Sequence, residues 1–285
     1  MYQLAEIVKD ACKTHGEKVA VRFYKDGFLK TISYHHFNEA AHLLSGILKE
    51  IQCNFEIVTH NYIAILVDVS DIYPVIIQGI LLSGSPFVCL DVDGSKGDLA
   101  NLIEKLKIQI LLTNEKHADK ISTNFDESEK LKDYELFESA CQIWKTGIVK
   151  YGCNNDDYLN KRLLYAIQTS GSTGEKKIVQ VTEDCILPNI LELRDLFELS
   201  TADVIYYGSP ITFDPNIIEL FLALTSGASL CIVSSKARAA TVPVLVDVLF
   251  PEKSENDDLS NVENSENVDL SGNDGWCVIV FEWYC

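Results

Sequence analysis

The sequence predicts an α/β fold of mixed and parallel sheets flanked by helices, and three observations predict it. Short apolar runs over residues 62–67, 87–90 and 108–113 have strand length and the continuous hydrophobic character of strands buried on both faces. Segments of helical period, 73–82 and 99–106, alternate with them as a doubly wound parallel sheet requires. Asp26-Gly27, a good two-residue hairpin turn, separates two further strand candidates and adds an antiparallel pair. With 285 residues, 47% of them hydrophobic, the chain can bury a sizeable core in one large domain or two small ones.

The elements follow in order. Leu4, Ile7, Val8 and Ala11 recur at helical spacing, and Gly16 closes that first helix. Residues 19–24 and 28–34 are the hairpin strands. A second amphipathic helix follows, its stripe made by Phe37, Ala40, Ala41, Leu44, Ile47 and Leu48. After the strand at 62–67, the apolar helix at 73–82 ends at Ser83-Gly84, and Pro86 and Asp91 flank the strand at 87–90 as turn residues rather than ligands. From about 115 to 161 the pattern weakens into a polar connecting region with one or two short helices. Residues 163–167 read as a buried strand, 185–197 as a helix with Pro188 near its start, and 203–207 as a strand. A helix at 217–224 and a turn and strand at 227–233 complete the series.

Composition narrows the function. Lys and Arg number 24 against 42 Asp and Glu, a net charge of -18, which argues against nucleic acid and anionic membrane surfaces as partners. Glu6, Lys9 and Asp10 interrupt the opening segment and no apolar run reaches spanning length, so no signal peptide or membrane helix is expected and the chain reads as cytoplasmic. The 9 cysteines are scattered without a Cys-x-x-Cys pair, as suits reduced thiols, and the 6 histidines form no ligand pattern. His35 and His36 read as surface or local hydrogen-bonding groups, and no protein metal site is expected.

One stretch points to chemistry: Gln168, Thr169, Ser170, Gly171, Ser172, Thr173, Gly174, Glu175, Lys176, Lys177, directly after the apolar run at 163–167. Glycines allow a tight turn that brings backbone N–H groups close to an anion, three hydroxyls add donors, and Lys177 adds charge. That suits a polyphosphate, although composition alone favours an ordinary surface loop. The P-loop pattern of Gly, four residues and Gly-Lys-Ser/Thr is absent.

The order of residues resembles the phosphate loop of the adenylate-forming superfamily, Tyr-Thr-Ser-Gly-Ser/Thr-Thr-Gly-x-Pro-Lys-Gly. Thr169 to Gly174 and Lys177 match; Lys176 replaces the usual Pro and Ile178 the usual Gly. Ile32-Ser33-Tyr34 and Leu81-Leu82-Ser83-Gly84-Ser85-Pro86-Phe87-Val88 with Asp91 match in order as well. A second motif, Ser209-Pro210-Ile211-Thr212-Phe213-Asp214-Pro215, reads on general grounds as a helix start, with Asp214 as N-cap and Pro215 first in the helix. By resemblance, Phe213 and Asp214 correspond to the pair that opens the acid pocket of amino-acid-activating members, where the Asp faces the substrate ammonium. The run from Ser209 to Val233 is most similar to the beta-alanine-activating, non-ribosomal-peptide-synthetase-like subfamily.

The resemblance implies ATP-dependent activation of a carboxylic acid, here a small amino acid, as an acyl adenylate that a thiol then takes. Thr169, Ser170, Gly171, Ser172, Thr173, Gly174 and Lys177 would hold the phosphates, with Lys177 neutralising charge and Mg²⁺ bridging them. Phosphopantetheine or coenzyme A would be the thiol acceptor, and a carrier domain would be a partner in a longer form. The superfamily's adenine loop, ribose aspartate, hinge and C-terminal lysine have no match here. Residues 1–250 are therefore expected to be a truncated, N-terminal part of an adenylation domain. Residues 251–285 are expected to be a divergent acidic tail, too polar to order itself and ending in a short apolar run. Two readings stand: an acid–thiol ligase whose lone chain is inactive, or a non-catalytic half-domain that binds nucleotide weakly or engages other proteins.

Overall fold

The computed structural model describes residues 2–57, 61–122, 125, 127–147, 162–169, 177–234 and 278–279. Strands β1 (Val19–Lys25) and β2 (Phe28–Ser33) form the expected hairpin. Asp26 and Gly27 both adopt positive φ, 50° and 87°, the geometry whose twist suits a two-residue connection. On its other side β1 pairs in parallel with β11 (Ser229–Val233), which pairs with β10 (Val204–Tyr206). Beside β10 lies β12 (Val278–Ile279), completing a five-stranded sheet of order β12-β10-β11-β1-β2.

The second sheet has seven strands. Its parallel centre is β5 (Ile110–Asn114), β3 (Ile63–Leu66), β4 (Phe87–Cys89) and β8 (Leu163–Thr169), in that spatial order. The hairpin of β6 (Glu129–Leu136) and β7 (Ser139–Lys145) runs antiparallel beyond β5, and β9 (Lys177–Thr182) antiparallel beyond β8. Neither β9 nor the β6–β7 hairpin is foreseen in the sequence. The connecting region was expected to hold one or two short helices, and it does contain a 3₁₀ turn, Glu115–His117, and the short α5 (Ala118–Ser122). The hairpin corrects that reading. Its turn is Phe137-Glu138, with φ of 47° and 69°, a primed turn made without the Asn-Gly or Asp-Gly signal.

Alternation along the central strands divides the interior. Ile63 and Ile65 face a core that also takes in residues of the five-stranded sheet and of α1 (Gln3–Thr14), α2 (Tyr34–Asn54), α3 (Tyr73–Ser83), α6 (Glu183–Leu196) and α7 (Asp214–Ser226). Tyr62, Ala64 and Leu66 face a smaller outer core with residues of α4 (Lys96–Lys105) and α5. Helix α3 sits wholly in the inner core, every residue buried, so its lack of a polar face follows from its position.

The ends of the helices carry local signals. Ser33 caps α2 by accepting the His36 N–H, and Ser95 caps α4 by accepting that of Asp98. Helices α3 and α7 stop at Gly84 and Gly227, left-handed at φ 93° and 82°. Pro188 needs a correction, because α6 starts at Glu183, which puts the proline past the first turn, where it costs the helix one N–H···O bond. Asp91 acts as a turn residue: its carboxylate accepts the Asp93 N–H at 2.9 Å. Among the described residues no helix is long and apolar enough to cross a membrane. The expected acidic tail lies outside the described residues except for Val278 and Ile279, which pair in register with Val204 and Ile205.

Candidate functional site

Strand β8 organises the site. Its last residue, Thr169, is the register partner of Lys177, the first residue of β9, so the two residues flanking the glycine-rich stretch face each other across an antiparallel pair. Lys177 is exposed. Ser170, Gly171, Ser172, Thr173 and Gly174 lie outside the described residues. Below them the pair is tied at its base: the Arg162 guanidinium donates to Glu183 at 3.0 Å, and the Glu183 N–H donates to the Arg162 carbonyl at 2.9 Å. The other Glu183 oxygen accepts the Leu4 N–H at 2.7 Å and so satisfies an N–H at the start of α1.

Four residues before Thr169, and on the same face of the strand, stands Tyr165. Its ring stacks on Phe87 of the neighbouring strand, with centroids 5.8 Å apart and planes at 27°. Its hydroxyl donates to Oδ1 of Asp214, the first residue of α7. Burial, joined by the nearby Asp214 carboxylate, pushes the Tyr165 hydroxyl well above the ordinary tyrosine range, so it stays a donor at neutral pH. Phe213 and Asp214 are both exposed. The helix cap falls on Phe213 rather than Asp214, and it makes no side-chain capping bond, which corrects the reading of Asp214 as N-cap. The Asp214 carboxylate is directed instead toward the strand that leads to Thr169.

Behind that pair lies a buried polar chain that sequence reasoning missed. Glu219 is fully buried in the largely apolar α7, and its carboxylate accepts the N–H groups of Gly208 and Ser209 at 3.1 and 3.2 Å and the Ser209 hydroxyl at 2.6 Å. Asn216, one turn earlier, donates to the Ser209 carbonyl at 3.2 Å and accepts from the Tyr207 hydroxyl at 2.5 Å. The tilted Tyr73 and Tyr207 rings, 6.0 Å apart, carry the chain on to Cys89 of the other sheet, whose sulfur lies 2.8 Å from the Tyr73 hydroxyl. Residues 207–209 are thereby fixed just ahead of Phe213 and Asp214. A signal for this was legible: Asn216 and Glu219, three apart on one helix face, interrupt an apolar helix and need buried partners.

The arrangement brings an exposed carboxylate and an exposed ammonium to one strand. Tyr165 and Thr169 are separated by about 13 Å at the usual rise of an extended chain. The model of the family "AMP-binding enzyme" matches residues 8–250. The chain belongs to the AMP-binding enzyme family. This member is 28% identical over 284 residues to the human beta-alanine-activating enzyme, an alignment that covers 87% of this chain and 25% of that protein. It therefore spans about a quarter of the length of that relative. Among solved structures, the nonribosomal peptide synthetase FmoA3 superposes with a TM-score of 0.64 at 19% identity, covering 88% of this chain and 24% of that one. The Vibrio cholerae adenylation domain AlmE, solved with glycyl-adenosine-5'-phosphate, superposes with a TM-score of 0.62 at 18% identity, covering 84% and 46%. The fold of this AMP-binding family member is that of the N-terminal part of an adenylation domain.

Proposed function

We propose that the chain takes part in the ATP-dependent activation of a small amino acid, of the beta-alanine kind, as an acyl adenylate. The Tyr165–Asp214 contact on the strand that ends at Thr169 carries this reading. An exposed carboxylate there suits a substrate ammonium, and the substrate carboxylate would then point along β8 toward the phosphates. The family membership and the likeness to the human beta-alanine-activating enzyme support it.

In this reading Thr169 and Lys177, with Ser170, Gly171, Ser172, Thr173 and Gly174 between them, hold the ATP phosphates. The exposed Lys177 ammonium fits that charge, and Mg²⁺ would enter as the counter-ion of the triphosphate. Nucleotide supplies the electrophilic phosphorus. The protein's own part is to hold the amine at Asp214, aim the acid, and offset charge at Lys177. Transfer to a phosphopantetheine or coenzyme A thiol, with a carrier domain as partner, belongs to the same proposal.

Pyrophosphate exchange into ATP tests it. Exchange stimulated by beta-alanine but not by propionate, and abolished by Lys177→Ala, is the supporting result. Absence of exchange with any acid, together with absence of ATP binding by calorimetry, would refute it. ATP binding without exchange would identify the chain as a non-catalytic nucleotide-binding half-domain.

A further inference from the structure

Asp214 alone would be a poor selector, because it is exposed and a free carboxylate can turn about its own side-chain bonds. What fixes it is Tyr165. That side chain is 1% exposed and wedged against Phe87, its register partner on β4, so the hydroxyl has one place to be. It donates to Oδ1 of Asp214, and among the described residues no hydrogen bond engages Oδ2. We propose that Tyr165 is the positioning residue for amine recognition: by holding one carboxylate oxygen of Asp214, it presents the other to the ammonium of an amino-acid substrate.

The proposal rests on the reading of Asp214 as the ammonium acceptor. Tyr165 does not contact the amine. Its hydroxyl orients the carboxylate and excludes rotamers in which Asp214 turns to water, which lowers the ordering cost of binding. The selectivity for an amine over its absence then depends on a phenol 49 residues away in the chain. A tyrosine with only a packing role would show no such dependence, since phenylalanine fills the same space.

Equilibrium binding to the full chain, with a non-hydrolysable ATP analogue at saturation, separates the possibilities. The probes are beta-alanine and propionate, which differ by the amine. Wild type should prefer beta-alanine, and Asp214→Asn should abolish that preference. Tyr165→Phe keeps the stacked ring and should cut the preference about tenfold by weakening beta-alanine alone, the usual worth of one hydrogen bond to a charged group. An unchanged far-UV spectrum verifies its fold. Should Tyr165→Phe keep the full preference while Asp214→Asn loses it, or weaken both probes equally, the positioning role is wrong and the reading of Asp214 stands. A wild-type chain that makes no distinction between the probes would overturn both.

Discussion

Replacing Glu219 by alanine should be among the most damaging single changes in α7. The carboxylate is fully buried and accepts hydrogen bonds from two backbone N–H groups and one hydroxyl. The Ser209 hydroxyl can rotate to another acceptor; the N–H groups of Gly208 and Ser209 cannot. Each donor stranded away from water costs about 1–3 kcal/mol, so alanine should lose about 4 kcal/mol. Against a typical total of about 5–15 kcal/mol that is a large fraction. Glutamine keeps the shape. Its carbonyl can accept both N–H groups while its amide donates to the Ser209 oxygen, leaving only the loss of charge assistance, about 1–2 kcal/mol. Urea unfolding followed by circular dichroism measures both, provided the m-value is unchanged. Amide exchange should speed up locally at Gly208 and Ser209 in the glutamine variant. If alanine costs less than about 1 kcal/mol, or glutamine costs as much as alanine, the carboxylate does not hold these residues and the argument fails.

Three other changes test the packing and the charge pairs. A Cβ at Gly79 would sit 2.9 Å from Leu44 Cδ2 and 3.0 Å from its Cγ, so Gly79→Ala should force α2 and α3 apart and cost about 1–3 kcal/mol in thermal unfolding. Gly46→Ala, with nothing within 4 Å, should instead raise stability by about 0.5–1 kcal/mol. Asp68 is pushed up by burial, but Lys116 and His117 outweigh this and hold its carboxyl below the usual range. A lowered folded value means that its contribution is complete above the unfolded value and is lost as pH falls through the folded one. Asp68→Asn should therefore lower the unfolding free energy in urea at pH 7 by less than about 1 kcal/mol, given its exposure, and the difference should shrink in acid as pH falls through the folded value. A difference that persists in acid would point to packing rather than charge.

The central sheet was legible because its strands are short, apolar and separated by helices of clear period, and the resemblance in the loop motif added the family. What escaped the reading had physical reasons. In the β6–β7 hairpin, β6 is an edge strand whose exposed, charged residues hide the alternation, and Phe137-Glu138 turns the pair with no glycine. Strand β9 shows mixed burial, with Val179 42% exposed, so its period is blurred. At the site, Thr169, Lys177, Phe213 and Asp214 were named from motif order, whereas Tyr165 passed as one more apolar strand residue. Its meaning lies in a contact with a residue 49 positions away, which no local pattern encodes.

The same contacts explain why these side chains can act together. Arg162 and Glu183 close the base of the β8–β9 pair, and Glu183 also holds the first turn of α1. Glu219 and Asn216 fix residues 207–209, and Tyr73 joins that group to Cys89 in the other sheet. Cys89 is itself buried and its thiol is pushed up to about 12, so it serves this link as a neutral group rather than as a nucleophile. Asp214 and Thr169 thus hang from two frames, α7 with its clamp and β8 with its base, which meet at the Tyr165–Asp214 bond. A recognition group and a phosphate-side group held by separate frames keep their spacing only if the frames are locked to each other. Tyr73 and Cys89 join the frames in the core, and the Tyr165 phenol joins them beside the site, which is why a change as small as Tyr165→Phe should be felt in selectivity before it is felt in stability.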